Sequence, residues 1–157
     1  MQALRRKLLK GGASTALLAP FIGSGLLSPK ALLAAEWQRG AFSARSVTEA
    51  LKAHGSSVAQ ETRDIVITAP EIAENGAKVE VDISCSLPGA KSLAVFADKN
   101  PLPLCASIDF LPPALPFARI QLKLAETTRI RAVIRTADGK NHVAFREVKV
   151  TLGGCGG

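Results

Sequence analysis

Val79-Glu80-Val81-Asp82-Ile83-Ser84-Cys85 places an apolar or thiol side chain at every second position and a polar one between. Successive side chains on a strand point to opposite faces, so this stretch predicts a β-strand with one buried and one wetted face. Working outward, Glu74-Asn75-Gly76 before it and Pro88-Gly89 after it read as turns. Ile65 and Ile67 alternate up to Pro70, and Leu93 to Phe96 form a short apolar run. Residues 101–116 hold five of the nine prolines. Proline donates nothing to a ladder, so this region predicts irregular or edge structure around a strand near Cys105 to Phe110. Phe117 to Leu124 alternates again, and Ile130 to Ile134 and Val143 to Leu152 flank Asp138-Gly139, a hairpin signal. About seven short strands with turns every 8–12 residues predict an all-β fold, an immunoglobulin-like β-sandwich.

One helix precedes the strands. Ser46 with Glu49 three residues on fits a capping box, and Gly55 fits the stop. Val47, Ala50, Leu51 and His54 fall on one face at helical spacing. Trp37 to Phe42 reads as a lead-in. With six Phe, one Trp and no Tyr, the core has to come from Val, Ile, Leu and Ala.

The formal net charge of +7 invites a nucleic-acid reading, but its distribution argues against one. Arg5, Arg6, Lys7, Lys10 and Lys30 lie in the first 35 residues, which contain no acid. Of the 20 basic residues that leaves 15, against 13 acidic ones. The same 35 residues run from a basic head through an apolar stretch (Gly11 to Leu27) to the small-residue end Ala31-Leu32-Leu33-Ala34-Ala35. That is the order of a secretory signal peptide, and the Arg5-Arg6 pair before Leu8-Leu9-Lys10 resembles the twin-arginine signal of proteins exported folded. A retained membrane anchor is the alternative; Ser, Gly and Pro interrupt the run and make it a weak spanning helix. The expected organisation is a signal peptide at 1–35, a sandwich domain at 36–152 and a glycine-rich arm at 153–157, with a periplasmic location and no membrane span in the mature chain.

The arm is Gly153-Gly154-Cys155-Gly156-Gly157. Glycine has the broadest backbone freedom and no side chain to pack, so this sequence predicts a flexible arm presenting a thiol. Exported proteins seldom leave a thiol exposed without a use, because it invites random disulfides. A catalytic Cys needs a base and an orienting group fixed beside it, and a glycine arm fixes neither. Cys155 is therefore suited to carrying a group that other enzymes load, process and remove.

A C-terminal Gly-Gly-Cys-Gly-Gly after a Val148-Lys149-Val150-Thr151-Leu152 strand, behind a twin-arginine signal, resembles the SoxY family, the sulfur-carrying subunits of the bacterial thiosulfate-oxidising (Sox) system. The resemblance implies a non-catalytic carrier with an immunoglobulin-like sandwich, paired with a SoxZ subunit as a heterodimer. It implies that thiosulfate is joined oxidatively to Cys155 by a c-type cytochrome, and that hydrolase enzymes then process the bound sulfur. Competing readings are an exported interaction module that uses Cys155 only for redox pairing, and a ubiquitin-like carrier activated at Gly156-Gly157. The latter works in the cytoplasm on a small β-grasp fold, so the export signal and the length argue against it.

Cys85 and Cys105 depart from the simplest form of that pattern. In an oxidising compartment they could form a disulfide, with two separate thiols acting as small apolar groups as the alternative. No cofactor is expected. His54 and His142 are the only histidines, and neither stands in a metal-ligand spacing with a Cys, so no metal site is expected. Arg129, Arg131 and Arg135 gather around one strand. They read as a solvated face in preference to a patch that steers anions.

Overall fold

The computed structural model describes residues 38–151 of the 157-residue chain. Among them two short helices lead into nine strands: α1 (Arg39–Ser43), α2 (Val47–His54), β1 (Gln60–Glu61), β2 (Ile65–Thr68), β3 (Ile72–Ala73), β4 (Val79–Cys85), β5 (Ala90–Ala97), β6 (Leu104–Asp109), β7 (Phe117–Leu122), β8 (Thr128–Thr136) and β9 (Asn141–Val150). The strands form a β-sandwich. The larger sheet runs β1-β9-β8-β5-β6 with β3 also on β9, and the smaller runs β2-β4-β7.

α2 begins and ends on the residues expected. Ser46 Oγ accepts from the Glu49 N–H at 3.2 Å. Gly55 closes the helix in the left-handed region at φ 74°, donating to Lys52 O at 3.1 Å. A side chain at Gly55 would also meet Arg135 Nη2 at 3.2 Å. α1 lies where a lead-in was expected. Its five residues are too few to show a helical period, and its buried contribution is Ala41.

The alternation in β4 buries Val79, Val81 and Ile83 against the larger sheet. β5 is different, with every residue from Leu93 to Ala97 buried. Its two faces belong to two cores. Leu93, Val95 and Ala97 face the smaller sheet, while Ala94 and Phe96 lie under the helices with Ala41 and Ala50. A strand covered on both sides reads as a continuous apolar run. Phe96 is wholly buried, which contributes roughly 1.5–3 kcal/mol relative to exposure.

The count exceeds the expected seven by β1 and β3. Both have two residues, and both pair in parallel with β9, through Gln60↔His142 and Glu61↔Val143 and through Ile72↔Lys149 and Ala73↔Val150. Parallel pairs are not joined by a tight turn, so no local sequence signal marks them. One expectation is corrected. Cys85 and Cys105 are both free thiols. They sit on different sheets, Cys85 ending the central strand of the smaller one and Cys105 on an edge strand of the larger, and each sulfur has its own hydrogen-bond partners.

Candidate functional site: the root of the C-terminal arm

Cys155 and its glycines, Gly153, Gly154, Gly156 and Gly157, lie outside the described residues, as do Arg5 and Arg6. What is described is the strand from which the arm leaves. β9 runs for ten residues, roughly 33 Å at about 3.3 Å each. It starts at the Asp138-Gly139 turn, where Gly139 takes φ 81°. Thr136 and Lys140 bond to Asp138, whose carboxyl is held well below the ordinary carboxylate range. At its far end β9 is secured on both edges. On one side Lys149 N–H donates to Glu71 O at 2.9 Å and Thr151 N–H to Ala73 O at 3.1 Å. On the other, Thr127 Oγ1 accepts from Val150 N–H at 2.9 Å and donates to Val150 O at 3.5 Å. The backbone is thus fixed through Thr151, two residues before the arm begins.

Beside this root is a cleft of about 280 Å³ lined by Glu71, Ile72, Arg146, Glu147 and Lys149. It opens where β9 has lost β1 and not yet met β3: strand pairing on this edge stops at Val143 and resumes at Lys149. Arg146 occupies the core-facing register of β9, in phase with Ala144, Val148 and Val150. Its Nε is buried and has no hydrogen-bond partner among the described residues.

The two described thiols are poorly activated. Leu87 N–H donates to Cys85 Sγ at 3.4 Å, and burial pushes the Cys85 thiol pKa up. Cys105 donates to Pro103 O at 3.4 Å and accepts from Asn100 Nδ2 at 3.8 Å, with its pKa raised by the same cause. A raised pKa leaves little of the nucleophilic thiolate at neutral pH.

The three arginines singled out in the sequence have structural partners. Arg129 and Arg131 share Asp98, at 3.0 and 3.1 Å, and both guanidiniums stack over Phe145, at 4.6 and 5.0 Å from its centroid. Arg135 donates to the helix-end carbonyls of His54 and Gly55, at 3.2 and 2.9 Å, and to Asn141 Oδ1 at 3.1 Å. His142 lines a separate cleft near the start of β9. Among the described residues no group of three or more His, Cys, Asp and Glu side chains is placed to hold a metal ion. No helix among them is long and apolar enough to cross a membrane.

Thr127 and Arg146 were not picked out in the sequence. Arg146 carried a signal: a cation in the inward phase of an otherwise apolar alternation, Ala144, Val148, Val150. Thr127 carried none, since its partner lies 23 residues away.

Comparison with known proteins adds the following. The family model "Sulfur oxidation protein SoxY" matches residues 50–155. No curated protein sequence matches at a significant level. The solved structure of the sulfur carrier protein SoxY from Chlorobium limicola f thiosulfatophilum is 40% identical, with a TM-score of 0.61, covering 68% of this chain and 97% of that one. A superoxide reductase (neelaredoxin) from Ignicoccus hospitalis shares the fold at 22% identity and a TM-score of 0.50, over 57% of this chain and 81% of that one.

Proposed function

The chain belongs to the SoxY family of sulfur carriers in sulfur oxidation, and on that premise we propose that Cys155 is the atom-bearing position, holding thiosulfate-derived sulfur while partner enzymes process it. The observation that carries this reading is the join between a rigid strand and a glycine arm. Thr127, Glu71 and Ala73 hold β9 through Thr151, and Gly153-Gly154 follow almost at once. Residues 152–155 span at most about 14 Å when extended, enough to carry the thiol into an enzyme channel while the sandwich stays outside. Loading joins the Cys155 thiol to the outer sulfur of thiosulfate as Cys–S–S–SO₃⁻. It releases one proton and two electrons, and the electrons pass to a c-type cytochrome.

The partner set proposed with this reading is a SoxZ-like subunit as the heterodimer mate, and the cytochrome and hydrolase enzymes of the Sox system. The outer face of the smaller sheet is suited to being covered. Val66 and Phe117 flank Ser84 in register, and both are about half exposed, at 53% and 49%. Leu111 and Leu115 nearby are more exposed still. Clustered exposed apolar side chains mark interaction surfaces. A periplasmic location through the twin-arginine route is part of the same proposal, supported by Arg5-Arg6 and the apolar stretch behind them.

The reading is tested with Cys155→Ser and Gly154→Pro in a reconstituted thiosulfate-oxidising mixture. Cys155→Ser is expected to abolish turnover, because a hydroxyl cannot form the disulfide-type bond. Gly154→Pro keeps the thiol but fixes φ near −65° and restricts Gly153, and is expected to slow turnover by about tenfold or more. Full activity of Cys155→Ser would refute the carrier role of that residue.

A further inference from the structure

We infer that the cleft at the root of the arm, formed by Arg146, Lys149 and Ile72, receives the oxyanion head and sulfane sulfur of a cargo carried on Cys155. The inference rests on the carrier reading above and assigns that reading a docking site on the sandwich itself.

Three observations converge on the cleft. The first is chemical. Arg146 lines the cleft, and its buried Nε has no hydrogen-bond partner among the described residues, an unmet donor that asks for an acceptor. Neither Arg146 nor Lys149 forms an ion pair among the described residues, although Glu71 and Glu147 line the same cleft. The second is the lining. Ile72 is 58% exposed beside these cations. A thiosulfonate has the matching halves: a polarisable, weakly hydrated sulfane sulfur for the isoleucine and a sulfonate for the guanidinium and ammonium. The third is reach. Thr151 to Arg146 is five residues back along β9, roughly 17 Å. β9 runs from Arg146 toward Thr151, so an arm that enters the cleft has to turn back. Residues 152–155, about 13–14 Å when extended, then bring the tip roughly level with Lys149, about 7 Å back from Thr151. The cargo beyond Cys155 and the Arg146 side chain span the remainder.

The two carboxylates set the strength. With two cations and two anions around the cleft, an incoming anion gains little net charge attraction, so the dock holds weakly and gives up the tip to an enzyme. A carrier needs that balance: shelter from stray thiols between partners, without a trap. The docked adduct places its inner disulfide sulfur against the strand edge, where a small reductant has less access.

The test uses the full mature chain. Its thiol is loaded with tetrathionate: the thiolate attacks an inner sulfur, giving Cys–S–S–SO₃⁻ and releasing thiosulfate, and intact mass verifies the adduct. Loading is expected to shift the side-chain Nε–H resonance of Arg146 and the amide of Lys149. Removal of the adduct by a neutral phosphine is expected to be about fivefold faster in Arg146→Gln and in Lys149→Gln, the scale of one charge-assisted contact near a surface. Lys149 is exposed, so its variant leaves folding intact should Arg146→Gln disturb the sandwich. Arg146→Lys is expected to recover part of the protection. Loading with no shift at Arg146 and equal removal rates in all variants overturns the dock and leaves the carrier reading standing. Failure to load Cys155 at all overturns the carrier reading itself. Equal shifts in Cys155→Ser on adding free thiosulfate would make the cleft a site for the dissolved anion, and would overturn the dock on the arm.

Discussion

His54 shows how much of one residue's behaviour is set by elements distant in sequence. Its ring meets Phe96 edge-on at 5.9 Å, and its Nδ1 lies 3.1 Å from Ser56 Oγ. Burial lowers its pKa first, and Arg135 adds to this, while Asp109 acts the other way. The folded state therefore binds fewer protons than the unfolded chain, whose histidine titrates near 6.5. Stability is full above that value and is lost as pH falls below it through the lower folded pKa. Urea midpoints are expected to drop between pH 7.5 and 5.5, and His54→Gln is expected to flatten that part of the slope; an unchanged slope in the variant would assign the loss elsewhere. Helical spacing put His54 on the inward face with Ala50. Phe96 and Arg135 as its neighbours were not legible, because strand order in the larger sheet brings them there.

At the scale of elements, β9 is the strand on which the arm depends. Thr127→Val keeps the shape but removes the hydroxyl that serves Val150. The expected destabilisation is about 1 kcal/mol, read most sharply as roughly five- to tenfold faster hydrogen exchange at the Val150 amide, with exchange in β4 and β5 little changed. Uniform acceleration across the sandwich would mean that Thr127 supports the whole fold and not the arm root. Antiparallel strands were legible because alternation and turn residues are local: β4 lies at Val79–Cys85 as its pattern demands, and Gly139 takes the positive φ of the expected hairpin. β1 and β3 were not, since two residues carry no period and parallel pairing leaves no turn. The proline-rich stretch predicted irregular or edge structure around a strand, and β6 is an edge strand of its sheet.

Over the whole molecule, most of the net positive charge lies before residue 36 and the arm thiol at residue 155, at opposite ends of the sequence with the sandwich between them. The export proposal predicts that Arg5→Lys with Arg6→Lys, which keeps the charge but loses the paired guanidiniums, leaves precursor in the cytoplasm; normal periplasmic levels would exclude the twin-arginine route. The free Cys85 and Cys105 were open to two readings in the sequence, because pairing depends on the relation of two sheets that no local pattern fixes. Their raised pKa values leave Cys155 without an activated competitor among the described thiols. The central claim, that Cys155 carries the sulfur, is tested most directly by intact mass of the protein purified from thiosulfate-grown cells, before and after reductant. The account predicts a mass excess from bound sulfur that reductant removes and that Cys155→Ser never acquires. A protein of unmodified mass under those conditions, or an adduct that persists in Cys155→Ser, would contradict it.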